Sequence, residues 1–174
     1  MFPFLNAVVN GNEVVKSIID YANKNNIILR LNEKDNDNSY PLLISAFVNK
    51  PEVAKLIANY TNTNNITLII NDNDNRYKRN SISYALTYNN SEMIELLIDY
   101  ANANDIILVL KEDKVCSISE LDIEIIELLY KSYDAYEMNI IFDKENNNKP
   151  MIEYHSNYYE NLRKKKLGND LPLR

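Results

Sequence analysis

The chain has 174 residues, 45% apolar and 25% charged, and its 25 acidic and 19 basic side chains give a formal charge of −6. Such a composition supports a core in one folded domain, and the negative balance disfavours a phosphate backbone as the main partner, so nucleic acid is not expected. The single cysteine, Cys116, excludes an internal disulfide, and no apolar run approaches the roughly 18 residues of a membrane helix.

A reducing, intracellular and cytoplasmic setting is therefore expected. The opening "MFPFLNAVVNGNE" has a short apolar run but neither a basic leader nor a small-residue cleavage pattern, so no signal peptide is read. Phe2, Phe4 and Leu5 begin inside a helical pattern with no loop ahead, as a piece of a longer array would. The block "YANKNNIILRLN" follows from Tyr21, returns as "YTNTNNITLIIN" at Tyr60, and returns again as "YANANDIILVLK" at Tyr100. These tyrosines are 39 and then 40 residues apart, a period that one supersecondary unit occupies.

Upstream of each tyrosine a second block repeats: "FPFLNAVVNGNEVVKSIIDY", "PLLISAFVNKPEVAKLIANY" and "SISYALTYNNSEMIELLIDY". In the second unit Val53, Leu56, Ile57 and Tyr60 fall at helical spacing, as do Met93, Leu96, Leu97 and Tyr100 in the third. Shorter helices precede them at Leu42–Val48 and Ile82–Tyr88, ended by Asn49-Lys50-Pro51 and Asn89-Asn90-Ser91. Glu52 and Glu92 then sit in a first turn, where an acid suits the helix dipole, and Pro41 suits the start of a helix. Each unit reads helix, tight turn, helix, polar loop.

The stretch "LNEKDNDNSYPLLISAFVNKPEVAKLI" resembles the ankyrin repeat, with Asn32, Lys34, Asp35, Pro41, Leu42, Ala46, Glu52, Val53, Lys55, Leu56 and Ile57 matching that family's pattern. The third unit keeps Ala85, Glu92, Leu96 and Leu97 but has Ser81 for the proline. The resemblance covers residues 2 to 132 and implies an all-α solenoid of stacked helix-turn-helix units with polar finger loops. The units are expected near 2–31, 32–71, 72–111 and, degenerate, 112–132, with a divergent cap and basic tail over 133–174.

Three departures carry structural expectations. Asn38 and Asn49 stand where the family has glycine, and asparagine tolerates a left-handed backbone. Tyr40 and Leu43 replace the family's Thr and His, so packing is expected to replace their hydrogen-bond network. The surplus length lies just after the second helix, which is expected to run on by a turn or to be followed by a short helix or extended piece. Tyr21, Tyr60 and Tyr100 are read as a ladder on neighbouring helices, with the pairs Ile27–Ile28 and Ile106–Ile107 capping that layer. The excess of asparagine, 29 residues, is read as base-composition bias.

Catalytic groups are scarce. His155 is the sole histidine and adjoins no nucleophile in sequence, and with one cysteine it makes no zinc set. "DNDNSY" and "DNDNRY" imitate the start of an EF-hand loop at Asp35 or Asp72 but carry Tyr40 and Tyr77 at the sixth position and Ala46 and Ser83 at the twelfth. No catalytic residue, metal site or cofactor is expected.

A non-catalytic protein-interaction module is the expected function, with a structural spacer or recruitment arm of a larger protein as the alternative. Carried over from the resemblance, the concave positions are Val8 and Val9, Phe47 and Val48, and Thr87 and Tyr88. The finger tips offer Asn36 and Asp37 on the first loop and Arg76, Tyr77, Lys78 and Arg79 on the second. Arg and Tyr are favoured interface anchors, and a local positive spot on an acidic protein selects an acidic protein surface. Arg163–Lys166 is weaker, a short basic run of nuclear-import type.

Overall fold

The computed structural model describes residues 3–110, 122, 124–125, 127–129, 141–144 and 147–150. Six helices form three hairpins: α1 (Pro3–Asn10) with α2 (Asn12–Lys24), α3 (Pro41–Phe47) with α4 (Pro51–Asn64), and α5 (Ser81–Thr87) with α6 (Ser91–Ala103). The short helix α3 packs between α1 and α5, while the longer α4 packs between α2 and α6. The described chain is predominantly helical, as expected. Three short strands are an addition: β1 (Val109–Leu110) pairs in parallel with β2 (Ile141–Lys144), which pairs antiparallel with β3 (Asn147–Pro150). Pro150 closes an edge strand, where a missing N–H is tolerated.

Local chemistry explains the helix limits. Pro41 and Pro51 open α3 and α4, where a first-turn N–H has no partner to lose. Asn80 and Asn90 cap α5 and α6, their side-chain oxygens accepting from the N–H groups of Ser83 and Met93. The stripes Val53, Ile57, Tyr60 and Met93, Leu97, Tyr100 are buried between hairpins. Each aliphatic side chain so covered contributes about 1.5–3 kcal/mol.

Asparagine supplies the left-handed residues that the chain lacks glycine to provide. Asn26, Asn38, Asn49, Asn65 and Asn89 all have φ between 48° and 59°. After α3 the N–H of Lys50 donates to Ser45 O, and after α5 that of Asn90 donates to Ala85 O. The second helices end alike: Ile27 donates to Ala22 O, Ile66 to Thr61 O and Ile106 to Ala101 O. A left-handed residue followed by such a return bond closes the last turn. The sequence surplus is thus an extra turn of the second helix and a tight exit.

Side-chain hydrogen bonds to backbone, rather than packing alone, join successive units. Tyr60 donates its hydroxyl to Ile27 O (3.0 Å) and accepts from the N–H of Leu29 (3.1 Å). Tyr100 does the same to Ile66 O (3.3 Å) and the N–H of Leu68 (2.9 Å). Asn32 donates to Thr67 O and accepts from Ile69 N–H, and Asn71 repeats this with Ile107 O and Val109 N–H. The Tyr40 hydroxyl lies within hydrogen-bond reach of Ile70 O and Asp72 O. These amide and phenol groups satisfy backbone that helix and sheet leave open.

Two expectations are corrected by this arrangement. The tyrosines form no ring ladder, since Tyr60 and Tyr100 reach back to the preceding unit's chain and Tyr21 is exposed. Nor do the isoleucines cap that layer as pairs, because Ile27, Ile28 and Ile107 face solvent and only Ile106 packs against the core. Much of the asparagine excess has structural work in caps, turns and joints. The expected unit 112–132 is described only at six positions, of which Ile125 and Leu129 are buried. Cys116, His155 and Arg163–Lys166 lie outside the described residues.

Candidate interaction groove

The two polar loops between hairpins are built on buried or half-buried carboxylates. In the first, Asp35 accepts from the N–H groups of Asp37 (3.0 Å) and Ser39 (2.9 Å). In the second, Asp74 is buried, accepts from Tyr77 N–H through one oxygen, and accepts from the Tyr84 hydroxyl through the other (2.6 Å). Asp35 and Asp74, two of the acids that imitate a calcium loop, are thereby turned onto their own chain. Among the described residues no three acidic, histidine or cysteine side chains gather around a cation position.

Cross-links hold the loops side by side. The N–H of Asn75 donates to Asp37 O (2.8 Å), Asn38 donates to Asn73 O (2.6 Å), and Lys34 pairs with Asp72. The second loop then leans its tip over the short helices. Tyr77 stacks against Phe47 with ring centroids 6.5 Å apart, and Phe47 meets Tyr84 edge-on at 5.2 Å. Arg76 lies 5.2 Å over the Tyr77 ring and Arg79 5.9 Å over the Tyr84 ring, distances at which a guanidinium is attracted to a ring face.

Between the loops and helices runs a groove of ≈ 300 Å³. Leu43, Ile44, Phe47, Tyr77 and Tyr84 make its apolar surface, joined by Asp35 and Asp37 of the first loop and Asp74 and Arg76 of the second. Phe47 is 38% exposed and Tyr77 48% exposed, a large apolar area to leave in water. Burial, reinforced by the hydrogen bond to Asp74, raises the Tyr84 hydroxyl's pKa well above that of a free phenol. Tyr84 therefore stays neutral and remains a donor that fixes Asp74 and the loop base.

The sequence-derived positions divide. Val9, Phe47, Val48, Asp37, Arg76 and Tyr77 line the groove together. Val8 is fully buried in the core and presents nothing to a partner, because α1 turns that position inward. Thr87 and Tyr88 lie at the end of α5, away from the groove lining; Tyr88 is exposed and Thr87 donates to Ser83 O. Lys78 sits at the loop tip with φ 57°, and Asn36 accepts from Asn75 through its backbone carbonyl. The positive spot is less free than expected, since both arginines are held over rings beside the carboxylates.

Tyr84 and Asp74 went unrecognised in the sequence. Tyr84 occupies a position that reads as helix core, and Asp74 one of several acids in a polar run. No family model, curated protein or solved structure matches the chain. No helix among the described residues is long and apolar enough to cross a membrane.

Proposed function

We propose that the protein is a non-catalytic protein-interaction module whose stacked hairpins, resembling ankyrin repeats, present the groove beside Phe47 and Tyr77 to a partner protein. The exposed Phe47–Tyr77 stack carries this reading, because aromatic surface held on a rigid scaffold binds with little further loss of side-chain freedom. Arg76 is the basic side chain of the groove lining, so an apolar anchor carrying an acidic group is favoured with that group near Arg76. The hydrogen bonds of Asp35 and Asp74 support a positioning role for those carboxylates rather than proton transfer.

The test compares wild type with a Phe47→Ser/Tyr77→Ser variant, both matched by circular dichroism, in affinity capture from the native soluble extract. A protein retained by the first and lost by the second supports the groove. Equal retention by both favours the spacer or recruitment-arm reading.

A further inference from the structure

The outer face of α2 is an unfinished copy of an interface that the molecule builds twice elsewhere. Val53, Ile57 and Tyr60 of α4, and Met93, Leu97 and Tyr100 of α6, are buried where each hairpin meets the one before it. Val14, Ile18 and Tyr21 hold the same places on α2. There Val14 is 43% exposed, Tyr21 is 63% exposed, and Ile18 is only part-buried. Next to them Pro3, Phe4, Ile18 and Leu29 edge a hollow of ≈ 240 Å³. The outer face of α2 thus keeps the apolar stripe that α4 and α6 bury.

We infer that this face is a self-association surface, closed by the same face of a second copy in a two-fold, antiparallel pairing of α2 with its mate. The stripe has the i, i+4, i+7 spacing with which helices pack on one another, and like faces brought together close as a dimer rather than growing. Charge favours the antiparallel sense. Glu13 lies in the first turn of α2 and Lys24 in the last, both exposed and on the same flank of the stripe. A two-fold axis near Ile18 brings each Glu13 to the partner's Lys24 and opposes the helix dipoles favourably. This surface is separate from the groove, so partner binding and self-association do not compete for residues.

Sedimentation velocity of the 174-residue chain from about 1 to about 100 µM tests the inference. A concentration-dependent dimer is expected. Val14→Asp/Tyr21→Asp should leave helicity unchanged, since both side chains are solvent-exposed in the single chain, and should give a monomer throughout. Glu13→Lys should weaken the dimer about fivefold, and Glu13→Lys/Lys24→Glu should restore it. A wild-type monomer at the highest concentration overturns the inference. So does a dimer indifferent to Val14→Asp/Tyr21→Asp, and a charge swap that fails to restore association rejects the antiparallel geometry.

Discussion

Tyr60 and Tyr100 make the same pair of backbone hydrogen bonds one unit apart, and Asn32 and Asn71 likewise repeat each other. The aromatic cluster of the groove does not repeat. Phe47 is matched by Thr87 in the next unit and Val8 in the preceding one, and the tip residues Arg76 to Arg79 lie on a loop one residue longer than its counterpart. Joints must be alike because each hairpin has to fit the next at one distance and angle. A partner surface has no such constraint, and the groove proposed to bind lies where the chain departs from the repeat.

The largest expected effect separates a joint from the open end. Tyr60→Ala removes a buried ring and the cover over Ile27 and Leu29, and should cost about 3–5 kcal/mol in urea unfolding. The matching Tyr21→Ala should stay within about 0.5 kcal/mol in dilute solution, as surface substitutions do. An equal loss at both positions would show that Tyr21 is packed as Tyr60 is.

Tyr100→Phe isolates the hydroxyl. It keeps the ring and strands the buried Leu68 N–H, so about 1–3 kcal/mol should be lost. A negligible change would mean that the hydroxyl bridge is dispensable to the joint. Gly11→Ala probes the first tight turn, where φ is 116° and an added Cβ would approach Lys50 Nζ to 3.3 Å. That nitrogen donates to Val9 O, so a destabilisation of about 1 kcal/mol is expected, seen as a lower urea midpoint.

In the groove the sign of the comparison reverses. Tyr77→Ala should change stability by less than about 0.5 kcal/mol while abolishing partner capture, because its ring is half in water. A large loss of stability would reassign Tyr77 to the scaffold.

At neutral pH the last effect is invisible. Tyr40 in a joint and Tyr84 in the groove both have raised pKa values, first of all because burial penalises the phenolate. An unfolded tyrosine ionises near pH 10, so stability from both is complete below about pH 10 and is lost as pH climbs above it. Phenolate absorbance should show Tyr40 and Tyr84 ionising only above the pH of a free tyrosine, with unfolding setting in as they do. Ionisation of Tyr40 and Tyr84 at about pH 10 in the folded chain would contradict the burial described.

The repeat, the helix limits and the left-handed asparagines at 38 and 49 were legible before any coordinates, since each follows from local rules of periodicity, capping and backbone conformation. Tyr60 and Tyr100 were recognisable as scaffold for the same reason, whereas Tyr21, read the same way, is exposed. How they act was not: a phenol can stack on a ring or reach a carbonyl, and only the placement of Ile27–Leu29 and Ile66–Leu68 beside Tyr60 and Tyr100 decides between them. Val8 illustrates the same limit, because adjacent positions on a short helix face core and solvent according to how the neighbouring hairpin is set. By itself the sequence determined a chain of like helical units and the loop that departs from them. The tertiary structure alone decided that Phe47, Tyr77, Tyr84 and Asp74, drawn from two units, meet in one groove, because that meeting depends on the stacking offset between hairpins.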